Sequence, residues 1–364
     1  MVIDSLTLIG ISSGLFAATL GVIYWAFAPQ MPFLYSNARI QARSKYLVGD
    51  ARIASLSDMK NLTEFINSMQ DTEYADAIEN PKNIRELHIA IEKGFINSII
   101  ELKETSPEKL NKLFDAYLMF WESKIIKTFY RQRFSKMDHN IDDSVFPIGT
   151  INANIIKHLH EAKTIADLKV VMNNTFYKEV FEKDYKNLEE FEVCLDNLVY
   201  KNFVEVISKI KVHDANEIIK IFNTKFDILN LLVLLKCEAR DVDEEKRKKL
   251  LIENNTELAK RQDKLIYAKG VADLVELCKG LEYYPALEIA LQEYAKDNSL
   301  SHFEMELMKY YKKSVLGKEL YHSQGAYPLF SYLTKKELEQ RNLLIISKGI
   351  DSGFTNKEIK ELII

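Results

Sequence analysis

Glycine and proline are scarce in this chain, at 12 and 7 of 364 residues. No long stretch alternates apolar and polar residues, which removes the pattern a half-buried strand needs, whereas apolar spacing of three and four recurs along the whole length. The body is therefore predicted to be all-α, with few strands or none. Cysteine is nearly absent too. Cys194, Cys237 and Cys278 stand singly, which excludes a disulfide framework or a cysteine-rich metal site and fits packing roles in a reducing compartment. There is no glycine-rich phosphate loop and no GxGxxG between a strand and a helix, so nucleotide binding by either device is excluded. The seven histidines are dispersed. Only His158 and His160 are close, and a separation of two turns them to different faces of a helix, poor geometry for a metal.

An excess of either charge is missing as well. A net charge of -4 with 28% charged residues gives no bias toward nucleic acid. The one basic block, Lys246 to Lys249, follows Asp243, Glu244 and Glu245 at helical spacing and reads as a solvated, ion-paired face. The remaining acids read as helix-start charges and ion-pair partners, without a paired-carboxylate pattern for acid–base chemistry.

What the chain does contain is repetition. Lys60 to Tyr74 recurs as Lys163 to Tyr177 and Lys269 to Tyr283. In each copy apolar residues stand two, five and nine places after the lysine: Leu62, Phe65, Met69; Ile165, Leu168, Met172; Val271, Leu274, Cys278. That spacing puts all three on one helix face. Asn61, Thr164 and Gly270 are acceptable N-caps, with Glu64, Asp167 and Asp273 three residues on, and the first two pairs are near versions of a capping box. Tyr74, Tyr177 and Tyr283 follow each helix end and read as core residues, together with Phe65, Leu168 and Leu274.

A second motif also occurs three times: Trp121-Glu122, Phe226-Asp227 and Leu338-Glu339, each followed three residues after the acid by Ile125, Asn230 or Asn342, then by a basic residue, Arg131, Lys236 or Lys348, near the helix end. A third, Leu87 to Glu92, Phe191 to Asp196 and Phe303 to Met308, lies between them. The period is too long for a solenoid and marks lobes with small cores of their own. The expected segments are 33–145, 146–250 and 251–364.

Ahead of them, no charged residue occurs from Ser5 to Ala38, and the apolar stretch Leu6 to Ala28 is long enough to cross about 30 Å of hydrocarbon as a helix. Tyr24 and Trp25 fall near its far end, and Pro29 and Pro32 stop it. Segment 5–28 is accordingly predicted to be a transmembrane anchor. Arg39, Arg43, Lys45 and Arg52 follow it while only Asp4 precedes it, which places the C-terminal body on the cytoplasmic side. A cleaved signal peptide is the competing reading, but its basic start is missing, since the first four residues carry no Lys or Arg.

From Phe33 to the C-terminus the chain resembles the C-type subunits of the archaeal-type rotary ATP synthases, relatives of the d-type subunits of vacuolar ATPases. The most recognisable pieces are Tyr35-Ser-Asn-Ala-Arg-Ile-Gln-Ala-Arg43 and Glu339-Gln-Arg-Asn-Leu-Leu-Ile-Ile-Ser-Lys-Gly349. The resemblance implies three helical lobes in a pseudo-threefold funnel, set on the proteolipid rotor ring and receiving the central-stalk subunits of D and F type. It also implies a non-catalytic part in ATP synthesis and ion transport, with no cofactor. The motif positions Tyr35, Asn37, Ala38, Arg39, Arg43, Glu339, Asn342, Lys348 and Gly349 become candidates for structural or partner contact. Two features depart from the family pattern: the apolar leader, and Ile125 where the other repeats have asparagine. A membrane-anchored helical scaffold unrelated to rotary enzymes is the alternative, distinguished by the partners it would bind.

Overall fold

The computed structural model describes residues 16, 18–25, 27–28, 30–79, 81–135, 145–210 and 212–364. Most of the predicted membrane span, 5–28, lies outside them. Among the described residues no helix is long and apolar enough to cross a membrane. Residues 18–25 are helical and exposed throughout. The only β pairing among the described residues is an isolated bridge between Ile148 and Ile151.

The body begins with α1 (Leu34–Arg43). Each repeat then opens on a short helix: α2 (Leu62–Ser68), α5 (Ile165–Met172) and α8 (Val271–Leu277). Asn61 accepts from the Glu64 N–H, while Thr164 and Asp167 form a complete capping box, where the sequence suggested only an approximate one. Gly270 instead adopts φ +96°, a conformation that costs glycine nothing. All three helices share one further bond, in which the first-turn acid accepts from the lysine N–H: Glu64 from Lys60 at 3.0 Å, Asp167 from Lys163 at 3.0 Å and Asp273 from Lys269 at 2.8 Å. Threonines brace two of the exits. Thr72 and Thr175 donate to the carbonyls of Met69 and Met172 and accept the N–H of Tyr74 and Tyr177. The third exit turns at Gly280 with φ +86°.

Two long helices follow in each repeat: α3 (Ile84–Thr105) and α4 (Asn111–Phe134); α6 (Leu188–Lys209) and α7 (Ala215–Ala239); α10 (Ser301–Leu316) and α11 (Tyr327–Asp351). The helix after the repeat tyrosine is four residues long in the second repeat, Lys178–Phe181, and much longer in the third, where α9 (Tyr284–Asp297) reverses at Asn298 in the left-handed region and packs along α10. A short α12 (Asn356–Lys360) follows α11. Gly349 permits its close approach, since a Cβ there would stand 2.7 Å from Ile359 Cγ1.

The packing does not respect the repeat boundaries. Helix α4 lies against α5 and α6 of the next repeat, α7 against α8 and α10, and α11 returns to pack on α1, α2 and α3. Each last helix thus completes the bundle of its successor, and the third completes the first, so the chain closes on itself. Where α4, α7 and α11 converge, Tyr117, Phe222 and Phe330 pack edge to face at 5.8 to 6.4 Å, with Phe114 stacked on Phe330.

One expectation fails inside the basic block. Arg247 is buried, donating to the carbonyls of Val242, Ile266 and Ala268 and pairing with Glu238 at 2.5 Å. Neighbouring acids at helical spacing made it look solvated, whereas carbonyls at the ends of neighbouring turns claim its guanidinium.

Candidate functional site

The repeated acids and tyrosines meet at three junctions, each between the last helix of one repeat and the first helix of the next. At the first, Glu122 is fully buried. Its carboxylate accepts from the Thr150 N–H at 2.7 Å, the Thr150 hydroxyl at 2.6 Å and the Tyr177 hydroxyl at 2.6 Å. Burial raises the Glu122 carboxyl above the usual range despite these donors, and burial beside the acid pushes the Tyr177 phenol well up. Gly149 is required here: its φ is +52°, and a Cβ would fall 2.0 Å from the Glu122 carboxylate.

At the second junction Asp227 accepts from Asn254 and Thr256 at 2.7 Å each and from the Tyr283 hydroxyl at 3.5 Å. Burial lifts its carboxyl to about 6. One turn on, Asn230 clamps the backbone of Ile252 in both directions, giving a hydrogen bond to its carbonyl at 2.8 Å and taking one from its N–H at 2.9 Å.

The third junction closes the chain. Glu339 accepts from the Val48 N–H at 2.6 Å and from Lys336 at 2.6 Å. Lys336 is wholly buried, also pairs with Glu73 at 3.0 Å, and lies 4.2 Å above the Tyr74 ring. Glu73 is held in turn by Arg43 and by the Tyr332 hydroxyl at 3.2 Å. Asn342 clamps Ile364 as Asn230 clamps Ile252, with bonds of 2.8 and 3.0 Å.

Both clamps span the same 22 residues. At that separation from Ile125 the chain has Pro147, which has no N–H to offer an asparagine. The departure at Ile125 therefore has a partner-side reason.

The motif positions fall into two groups. Asn37 is buried and donates to the carbonyls of Ser323 and Gly325, Arg43 pairs with Glu73 and Glu101, and Glu339, Asn342 and Gly349 are buried as described. Tyr35, Ala38 and Lys348 face outward, and Arg39 is half-buried. The six repeat positions, Phe65, Tyr74, Leu168, Tyr177, Leu274 and Tyr283, are all buried. Sequence reading missed Lys336 and Glu73, and it singled out Glu339 without Glu122 and Asp227. The acid shared by all three copies of the second motif was the available signal.

No group of three metal-capable side chains is gathered among the described residues. Cys237 and Cys278 are buried and Cys194 is partly so. Burial pushes the Cys278 thiol to about 12, which leaves it inert as a nucleophile. An open cleft of about 840 Å³ between α6, α7 and the helix Glu244–Lys249 mixes Glu190, Asp196, Lys236 and Lys249 with apolar Leu229 and Val233, without a convergent set of one chemistry.

What this geometry defines is a helical scaffold whose repeated polar residues are spent on holding its parts together. The ATP synthase (C/AC39) subunit family model matches residues 36–362. The chain belongs to that family, and it is a non-catalytic subunit rather than an enzyme in its own right. It is similar to the A-type ATP synthase C-type subunit of Pyrococcus abyssi, at 25% identity with 94% of this chain and 92% of that protein covered. The corresponding A-type ATP synthase protein of Methanocaldococcus jannaschii is 28% identical, with 92% and 86% covered, and that of Thermococcus onnurineus 25%, with 97% and 98% covered.

Proposed function

We propose that this protein couples the central stalk of a rotary ATP synthase to its membrane ion-translocating ring, passing torque between the two. The observation that carries the reading, beside family membership, is the set of buried junctions that ties the repeats into one body without a reactive constellation. A torque-bearing coupler needs stiffness rather than chemistry. Buried, hydrogen-bonded contacts between every pair of successive repeats supply resistance to shear, because breaking one leaves a polar or charged group uncompensated.

In this reading the segments 33–145, 146–250 and 251–364 are three lobes of a funnel. The proteolipid ring and the D- and F-type stalk subunits are its partners, and the protein resides at the cell membrane with its body on the cytoplasmic side. The uncharged leader adds a lipid anchor. Its support is the long apolar stretch in the sequence and the full exposure of residues 18–25, which the body leaves uncovered. Deleting residues 33–364 from the host is expected to leave ATP hydrolysis by the soluble head and to abolish ion pumping. Ion transport at the wild-type rate in that strain would contradict the coupling role.

A further inference from the structure

At the end of the body that the leader enters, three helix–helix turns meet. Lys109, in the turn between α3 and α4, sits 4.5 Å over the Phe33 ring. Asp214, just ahead of α7, accepts the N–H groups of Ala326 at 3.2 Å and Tyr327 at 2.5 Å. Asn37 of α1 donates to the Ser323 and Gly325 carbonyls at 3.5 and 3.1 Å. The turns 106–110, 212–214 and 317–326 and the entry segment 30–37 therefore share one surface.

The turn 317–326 is the longest of the three and the most apolar at its tip, where Leu320 and Tyr321 are 89% and 83% exposed. Beside it, Met31, Leu34 and Tyr35 are more than half exposed. This concentration of large apolar side chains lies where the uncharged stretch ends. Two residues separate Ala28 from Met31, so Met31 stands three Cα steps, at most about 10 Å, from the end of the predicted span. In the anchor reading, a body tethered that closely, by a connection that turns at Gln30 and Met31–Phe33 rather than extending, lies with this face toward the membrane.

We propose that this face rests in the interfacial layer of the lipid bilayer, with Leu320 and Tyr321 inserted at headgroup depth, where an amphipathic tyrosine ring is favoured. The proposal rests on the anchor reading above. It makes turn 317–326 a second, peripheral lipid contact that fixes the orientation of the body, a role a single tether cannot perform.

The test uses the full chain with Leu320→Cys in a Cys194→Ala background, nitroxide-labelled and reconstituted in vesicles of phosphatidylcholine and phosphatidylglycerol. A second label, at Phe354→Cys, reports from beyond the opposite end of the 25-residue α11, about 37 Å away. Power saturation compares accessibility to oxygen and to a water-soluble nickel chelate. The expected result is a several-fold rise in the oxygen-to-nickel ratio at position 320 on reconstitution and no change at 354. Protein that floats with the vesicles while position 320 stays aqueous would overturn this inference and leave the anchor standing. Protein that does not float would overturn both. Shielding of position 320 only after proteolipid ring is added would make the face a protein contact and overturn the lipid assignment.

Discussion

The second and third junctions use the same geometry with different electrostatics. Both place an acid of the second motif against a tyrosine of the following first motif, and both add an asparagine clamp one turn on. At the second, neutral donors surround Asp227 and the acid is held near the edge of ionisation, its carboxyl raised to about 6 by burial. At the third, a buried lysine bridges Glu339 and Glu73, Arg43 supplies a second cation to Glu73, and no hydrogen bond reaches the Tyr74 hydroxyl. The third junction also stands over an apolar core separate from the main one, built from Phe65, Met69, Tyr74 and Leu87 with Leu343, Ile346 and Ile359. A closure that joins distant parts of the chain around a small core is thus reinforced by charge, whereas the second, inside the large continuous core, is not.

The most damaging way to break that comparison is Lys336→Met. It leaves the buried Glu339 carboxylate without its cation, while Glu73 keeps Arg43, and is expected to cost about 3 to 5 kcal/mol in urea unfolding. Adding Glu339→Gln should recover part of the loss, because the orphaned charge is removed.

Asp227→Asn sharpens the comparison through pH. A carboxyl whose folded value lies near 6 binds a proton more tightly folded than unfolded. Its contribution to stability is therefore complete below about pH 4 and is lost as pH rises through 6. The amide mimics the protonated acid at every pH. Stability of the variant relative to wild type should rise by about 2 to 3 kcal/mol between pH 4 and pH 7. Glu339→Gln should instead destabilise, since it strips Lys336 of a counter-ion.

Smaller effects are expected at the clamps. Asn230→Leu orphans the N–H and carbonyl of buried Ile252 and should cost about 2 kcal/mol in the same unfolding assay. Asn342→Leu should cost less, about 1 kcal/mol, because Ile364 is only partly buried and its oxygen still accepts from Lys312. Ile125→Asn should give no compensating gain, because Pro147 cannot complete the clamp. A stabilisation there would show that the first junction finds another donor.

Much of this was legible in the sequence. The three short helices, their caps and their buried faces follow from spacing and cap residues alone, because both are local. The closure was not legible. Glu122 meets Tyr177 and Asp227 meets Tyr283 more than fifty residues away, across the boundaries at 145 and 250 that the repeat suggests. Lys336 three residues before Glu339 reads as an ordinary exposed ion pair, and Arg247 among Glu244, Glu245 and Lys248 reads as surface. Both are buried because of partners that other elements deliver, Glu73 and Tyr74 in one case and the carbonyls of Ile266 and Ala268 in the other. Periodicity shows which face of a helix turns inward. It does not show which charge will find a counter-charge there.

The central claim is that the third junction ties the last helix to the first repeat and so makes one body of the chain. Native-state hydrogen exchange of the full chain, with and without Lys336→Met, tests it most directly. The account predicts that amides of Leu62–Ser68 and of the middle of Tyr327–Asp351 exchange through one shared opening in the wild type. In the variant both should lose protection by the same factor, while Val271–Leu277 loses less. Independent exchange of Leu62–Ser68, unchanged by the substitution, would contradict the claim.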